Sequence, residues 1–342
     1  MILSICIPTY NRHEHLSNCL NSIVISSQNK KIDFEVCISD NCSDENTEEL
    51  IKPFEEKIKI KFNRNNKNIG TMANMFKVVS MAEGEFSWII GNDDLLLPNT
   101  LEKLDNLIRE NSDVDFFFIN SFNLDFNYLK KFSRPFNTMN LPLEMDKVSK
   151  KEKSQKLNFW NLIDPEISYD FLLGMFLAVF RRQKWVDNLK FVDNELIKDA
   201  RYWSNFDNTC SHIKVFANAF NNSKAYFQAE PLSVNLYGVR EWSSFYEFVE
   251  IIRIPELLDY YRSRGLNLNK FIYCKNYALR NFVPYLAKIL LRKKSGLEYI
   301  KFSKHILKNL FYPNVYLSFF YFIFRKLNFV KINTNEKIKN EN

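Results

Sequence analysis

The first 120 residues alternate between short apolar runs and amphipathic stretches, and few architectures accept that rhythm. Ile2 to Pro8 reads as a buried strand, and Leu16, Cys19, Leu20 and Ile23 then recur at helical spacing. Further strand-like runs are Phe34 to Ser39, the alternation Ile58, Ile60, Phe62, then Phe86 to Ile90 and Asp115 to Asn120. Between them the pattern predicts a helix carrying Leu50 and Ile51 with Ser43 as its cap, and a helical stripe through Met72, Met75, Phe76 and Val79. A last stripe through Leu101, Leu104 and Ile108 is opened by an expected Asn99–Glu102 capping box. Strand and helix in strict alternation imply right-handed crossovers and an α/β fold: a Rossmann-like, mostly parallel sheet flanked by helices. Ligands of such sheets bind outside the carboxyl ends of the strands, so the residues that follow each strand are the ones to inspect.

Those residues form four polar clusters. The first strand delivers Pro8-Thr9-Tyr10-Asn11-Arg12 and the second Ser39-Asp40-Asn41-Cys42-Ser43. Asn68-Ile69-Gly70 and then Asn74 open the third helix, and the fourth strand ends in Gly91-Asn92-Asp93-Asp94. One such cluster is a turn; four on one edge make a site. Adjacent carboxylates such as Asp93 and Asp94 are costly unless solvated or bound to a cation, and their hard oxygens suit Mg2+ or Mn2+. Taken alone, the triplet reads first as a turn and helix N-cap before Pro98. Asp40 is placed to accept a hydrogen bond from a base imide or a ribose hydroxyl, or to make an Asx turn, while Thr9 and Arg12 could reach a nucleotide and its phosphates. The chain has only 7 glycines, and neither G-x-G-x-x-G nor G-x-x-x-x-G-K-[ST] occurs. A bound diphosphate must therefore be neutralised without a glycine-rich cradle, and a metal ion is the obvious means.

Ile-Pro-Thr-Tyr-Asn-Arg, Ile-Ser-Asp-Asn-Cys-Ser-Asp, Asn-Ile-Gly and Gly-Asn-Asp-Asp-Leu-Leu-Leu-Pro, in this order over residues 1 to 120, resemble the family-two glycosyltransferases of the GT-A fold. The resemblance implies an inverting transfer from a nucleoside-diphosphate sugar, UDP- or dTDP-linked, to a hydroxyl of a glycan or lipid-linked acceptor. It puts Pro8, Thr9, Asp40 and Asn68 on the nucleoside, Asp93 on the ribose or diphosphate, and Asp94 on the metal. Tyr10, Asn11, Arg12, Asn41, Gly70, Asn74 and Asn92 join the expected nucleotide-sugar site, with Asn92 a second candidate metal ligand. Asn92 stands where the family's triplet is usually acidic, which removes a negative charge from the metal site. The family's Glu-Asp pair, source of the general base, has no plain counterpart; the corresponding stretch is Asn205 to Ile213. His212 is the first candidate base, because a helix head keeps an imidazole neutral and able to accept a proton; a capping or core histidine is its plainer reading. Asp207 and then Asp199 are the alternatives. Pro231 to Asn235 and Trp242 resemble the distal part of an abequosyltransferase-like subset that builds bacterial surface polysaccharide.

Residues 121 to 170 lose the alternation and read as a connection or subdomain; Phe171 to Phe180 is a further candidate strand, and 205 to 220 a helix. The expected scheme is a GT-A domain over 1–243, with a nucleotide-sugar half at 1–120 and an acceptor half at 121–243. A helical, aromatic-rich basic region at 244–330 and a disordered tail at 331–342 follow. The net charge of +7 is concentrated beyond Lys270. Lys301, Lys304 and Lys308 would share one helical face and Phe302, Ile306, Leu310 and Phe311 another, with Arg325-Lys326 beyond. That arrangement suits a membrane surface, or equally the protein's own core. The six scattered cysteines include no C-x-x-C and read as reduced core thiols. No basic region precedes the first strand, and the apolar run Tyr316 to Phe324 is too short to span a bilayer, so the expectation is a cytoplasmic protein, peripheral on the inner face of a bacterial plasma membrane. Three rival readings carry less of the pattern. A sugar nucleotidyltransferase would open with a glycine-rich loop; a binding module would keep the nucleotide pocket without a base; a nucleic-acid binder would interleave basic and aromatic residues, and no nucleic-acid partner is expected here.

Overall fold

A ten-stranded sheet organises the first of two units, residues Met1–Arg240; the second runs from Glu241. The computed structural model describes residues 1–28, 32–199, 201, 203–238 and 241–324. The expected tail at 331–342, the Arg325-Lys326 pair and the side chain of Trp242 lie outside the described residues.

In chain order the first unit contains β1 (Leu3–Thr9), α1 (His13–Ser26), β2 (Phe34–Asp40), α2 (Thr47–Glu55), β3 (Ile60–Arg64) and α3 (Thr71–Ser80). Next come β4 (Phe86–Ile89), β5 (Asp94–Leu96), α4 (Thr100–Glu110), β6 (Phe116–Asp125), β7 (Asp146–Lys147) and β8 (Gln155–Asn158). It closes with β9 (Ala178–Arg181), α5 (Arg182–Asp187), α6 (Phe206–Ala219) and β10 (Lys224–Tyr237). The sheet order is β3-β2-β1-β4-β9-β6-β10-β5. The parallel sheet expected from the sequence holds for β3-β2-β1-β4; β9 then runs antiparallel between β4 and β6, and β5 antiparallel to β10, so the far half is mixed. β1 is buried along nearly its whole length, as a strand covered on both faces must be. Its Leu3, Ile5 and Ile7 share a core with Leu16, Cys19, Leu20 and Ile23 of α1, the stripe that set the helical spacing.

Four local expectations are corrected. Ser43 does not cap α2; Asn46 does, accepting from Glu49 N–H, because Ser43 is spent on Asp40. Asn99 takes a left-handed φ of 63° and makes no capping bond from its side chain, so no capping box opens α4. Phe171 to Leu177 is not strand: Phe171 and Leu172 have positive φ, and pairing begins only at Ala178. β6 runs on to Asp125, because its second half pairs with β10 beyond a bulge.

In the second unit α7 (Tyr246–Phe248) passes through a π-helical stretch, Val249–Arg253, into α8 (Ile254–Ser263), followed by α9 (Leu268–Ala278) and α10 (Phe282–Leu291). The expected Lys301/Lys304/Lys308 face does not form as an α-helix. Phe302–Ile306 is π-helical and Leu307–Phe311 is 3-10, because Lys304 and His305 turn to Glu256. Burial pushes the Glu256 carboxyl up, but His305, Arg253 and Lys304 outweigh it and hold it at about 2. A helix over 313–324 ends the described chain. Among the described residues no helix is long and apolar enough to cross a membrane.

Candidate active site

The four polar clusters meet at the carboxyl edge of β3-β2-β1-β4, as parallel strand ends require. The parallel register sets Thr9 beside Asp40 and Asp40 beside Arg64, and Asn41 N–H donates to the Thr9 carbonyl at 2.9 Å.

Asparagines tie the loops together. Asn41 donates to Asn68 Oδ1 at 2.9 Å and accepts from Ile69 N–H at 2.9 Å and from Asn65 at 3.2 Å. Asn74, at the buried head of α3, donates to the Ser39 carbonyl at 2.8 Å and accepts from the Ser39 hydroxyl at 2.7 Å and from Asn65 at 2.9 Å. Gly70 has φ of 90°, which favours glycine, and a Cβ there would come within 3.3 Å of the Ile197 carbonyl. The turn Leu196–Lys198, which leads into Asp199, therefore sits against the Asn68–Gly70 loop.

Asp40 is fully buried and points inward. Its Oδ1 accepts from Ser43 N–H at 3.1 Å and the Ser43 hydroxyl at 2.5 Å, and its Oδ2 accepts from the Thr47 hydroxyl at 3.1 Å. Arg64 Nε approaches Oδ2 to 3.8 Å, and His13 reaches the same Thr47 hydroxyl at 2.9 Å. The expected direct bond from Asp40 to a base or ribose thus meets a carboxylate already occupied on both oxygens. Asn11, with φ of 48°, closes the same turn from the other side through Ser43 and Asp44.

The acidic triplet lies one strand away. Asn92 donates to the Thr9 hydroxyl at 2.8 Å, and Arg12 pairs with Asp93 at 3.3 Å. Asp94, 2% exposed, begins β5 and accepts from Gly91 N–H at 2.6 Å. A Cβ on Gly91 would lie 2.5 Å from Asp93 Oδ1 and 3.0 Å from Asp94 Oδ2, so both carboxylates converge over a bare Cα. Their field is felt nearby. The Cys19 thiol is pushed well up by burial and then by Asp94 and Asp93. Burial lowers the His15 pKa, which Asp93 partly restores. Among the described residues no three His, Cys, Asp or Glu side chains gather as a cation site. Asp93 and Asp94 are the carboxylates that converge there, and a hard cation would complete its shell with other oxygens, from an amide, water or phosphate.

The candidate bases sit on or before α6. Its Asn205 and Asn208 make a genuine capping box. Asp199 is drawn well below the usual carboxylate range by Arg201, against burial and with help from Ser204. Asp207 is buried and pairs with Lys214 at 2.7 Å. His212 is 1% exposed; its Nε2 stands 3.3 Å from the Leu172 carbonyl, and its ring meets Phe216 edge-on at 5.6 Å. Burial lowers its pKa to about 4, although the carbonyls of Leu172 and Leu173 pull the other way. His212 lies in the second turn of α6, past a kink at Cys210, and not at its head. The burial itself, not the helix end, keeps the ring neutral.

Residues 4–173 match the model of the family described as glycosyl transferase family 2. These residues belong to glycosyl transferase family 2. Relatives of this family-2 region include the abequosyltransferase RfbV of Salmonella typhimurium, 41% identical over 117 residues, which are 33% of this chain and 34% of that protein. The poly(ribitol-phosphate) beta-N-acetylglucosaminyltransferase TarS of Staphylococcus aureus is 31% identical over 116 residues, 33% of this chain and 20% of that protein. The chain thus spans about a third or less of the length of these relatives. In fold the likeness runs further: TarS 1–349 in complex with UDP superposes with a TM-score of 0.59 over 86% of this chain and 76% of that one, at 17% identity. The GT-A architecture expected from the sequence is therefore the one observed.

Asn65, Thr47 and His15 are not singled out by the sequence pattern, and Ser39 enters only as part of its strand-end cluster. Asn65 sits in an asparagine-rich run, Asn63-Arg64-Asn65-Asn66, whose composition hides it. Only the fold shows that it bridges Asn41 and Asn74.

Proposed function

We propose that this chain is an inverting glycosyltransferase that moves a sugar from a uridine or thymidine diphosphate donor to a glycan or lipid-linked hydroxyl in bacterial surface-polysaccharide synthesis. The observation that carries the reading is the convergence of Thr9, Arg12, Asn92, Asp93 and Asp94 on one sheet edge, beside the Asn41–Asn68–Gly70 loop. The family match and the UDP and UDP-GlcNAc complexes of the similarly folded TarS support the donor class.

Asp94, with Asp93 beside it, would hold Mn2+ or Mg2+, since hard carboxylate oxygens brought together over Gly91 fit either ion. Asn92 is the lesser candidate, because its amide already serves Thr9. A bound cation would supply Lewis-acid neutralisation of the departing diphosphate, on the order of several kcal/mol. Arg12, 22% exposed and paired with Asp93, is within reach of the same phosphates. Asp40 acts on the nucleoside through the Ser43–Thr47 turn it holds, rather than by contact. His212 is the proposed base. Asp199 is committed to Arg201 and Ser204 and Asp207 to Lys214, whereas the His212 ring is kept neutral by burial and its Nδ1 has no hydrogen-bond partner among the described residues.

A membrane surface is the proposed location, on the cytoplasmic side. In the second unit the uncharged helix over 313–324 exposes Phe320, Tyr321 and Phe324, and Phe302 and Phe311 are also largely exposed. Aromatic side chains of this kind settle at a lipid interface.

The test is a panel of nucleotide-sugars incubated with the protein and Mn2+ or Mg2+. Release of nucleoside diphosphate from a UDP- or dTDP-sugar, abolished by EDTA, is expected. Release of pyrophosphate instead, or activity that persists in EDTA, would overturn the reading.

A further inference from the structure

The turn from Ser168 to Gly174 is strained. Phe171 and Leu172 have φ of 53° and 72°, a left-handed conformation that bulky side chains resist, yet both are fully buried. Asp170 holds the turn in place. Its Oδ2 accepts from Gly174 N–H at 2.9 Å, and its Oδ1 accepts from the Ser168 hydroxyl. Gly174 has to be bare, because a Cβ there would lie 2.9 Å from Asp170 Oδ2 and 2.9 Å from the Phe176 ring.

The strained backbone aims one group. The Leu172 carbonyl stands 3.3 Å from His212 Nε2. A carbonyl only accepts, so Nε2 carries the proton and Nδ1 carries the lone pair. Nδ1 is itself buried and has no hydrogen-bond partner among the described residues. The turn also belongs to the reactive edge. β9 runs antiparallel to β4 with Val179 opposite Trp88, and Trp88 Nε1 donates to the Phe176 carbonyl at 2.7 Å. The segment that precedes β9 therefore comes back beside the end of β4, where Gly91 to Asp94 begin.

We propose that the Ser168–Gly174 turn, locked by Asp170, is a positioning device that fixes His212 as its Nε2–H tautomer and so reserves Nδ1 for the proton of the acceptor hydroxyl. The proposal rests on His212 as the base. In the step it serves, the acceptor O–H bond breaks and Nδ1–H forms. The acceptor oxygen bonds to the anomeric carbon, and that carbon's bond to the diphosphate breaks, its electron pair leaving with the phosphate. Asp170 touches none of the reacting atoms; it is a positioning residue.

The test combines nitrogen NMR of 15N-histidine-labelled protein with kinetics. Only 4 histidines are present, and His212→Gln assigns the signal. The wild type should show His212 protonated at Nε2. In Asp170→Ala the signal should move to a mixture of tautomers and kcat should fall about 10-fold or more, with donor KM unchanged within about twofold. Asp170→Asn retains an oxygen for Gly174 N–H and should recover most of the loss. Should Asp170→Ala fail to fold, Ser168→Ala removes one donor from the same carboxylate and should cost about threefold in kcat. If His212→Ala is inactive while folded Asp170→Ala keeps both wild-type kcat and the wild-type tautomer, the turn is scaffold only and this proposal is wrong. If His212→Ala stays within a few-fold of wild type, the base assignment has failed, and this proposal falls with it.

Discussion

The asparagine-linked loops of the proposed donor edge and helix α6 of the proposed acceptor edge handle buried polarity in opposite ways. In those loops Ser39, Asn41, Asn65 and Asn74 satisfy one another and Ser43 and Thr47 satisfy Asp40, so the loops are set before any ligand arrives. On the acceptor edge α6 buries Asp207 Oδ1, Ser211 Oγ and His212 Nδ1 without hydrogen-bond partners among the described residues. Leaving a buried polar atom unmade costs about 1–3 kcal/mol, so such a cluster on one helix is retained only where something else is gained. Under the proposed function, the difference assigns one edge to holding a preset nucleotide site and the other to keeping hydrogen-bonding capacity in reserve for the reaction.

Breaking the donor edge at its acidic end should have the largest effect. Asp94→Ala, or EDTA, is expected to lower kcat/KM by at least about 1000-fold with an unchanged circular dichroism spectrum. Residual activity above about a tenth of wild type would remove the metal from the account. On the acceptor edge His212→Ala should cost at least about 100-fold in kcat and leave donor affinity within about twofold, by steady-state rates at saturating donor. A collapse of Asp207→Asn or Asp199→Asn in its place would transfer the role.

The donor edge was largely legible in the sequence and the acceptor edge was not, for a physical reason. Parallel strands buried on both faces leave dense apolar runs, and the polar residues after each run stand out, so Thr9, Asp40, Asn68 and Asp94 were all visible. What the pattern could not show was direction. Asp40 follows its strand as a ligand would, yet it turns inward to Ser43 and Thr47. Between Phe126 and Leu177 the chain is built from 3-10 turns and short antiparallel strands, which have no period to read. Asp170 and Leu172 acquire meaning only when the chain returns beside β4, and nothing in the local sequence announces that.

Acid should separate the two ways of burying charge. His212 is held at about 4 when folded, below its value of about 6.5 in an unfolded chain, so the unfolded state binds the extra proton. Stability should therefore fall as the pH drops from about 6.5 to about 4, by roughly 3 kcal/mol, and His212→Gln should flatten that slope in thermal melts. Glu256 in the second unit has its pKa depressed to about 2 and loses its contribution only as the pH falls below about 4.5. A slope unchanged in His212→Gln would contradict the burial of a neutral ring.

Smaller effects should sharpen the picture. Asn74→Ala removes a buried side chain with three hydrogen bonds and should cost about 1–3 kcal/mol in denaturant unfolding, with a several-fold weaker donor affinity. Phe319→Glu with Phe320→Glu, both exposed in the helix over 313–324, should lower flotation with anionic liposomes and leave donor hydrolysis alone. Equal flotation of variant and wild type would mean that this helix does not meet the membrane.

The most direct measurement is calorimetric titration of UDP, in the presence of Mn2+, into the wild type, Asp94→Ala and His212→Ala. If the donor edge is a complete nucleotide site by itself, wild type and His212→Ala bind alike and Asp94→Ala loses binding. If Asp94→Ala binds as the wild type does, or His212→Ala loses binding with it, the division of the site into a preset donor edge and a reactive acceptor edge is wrong.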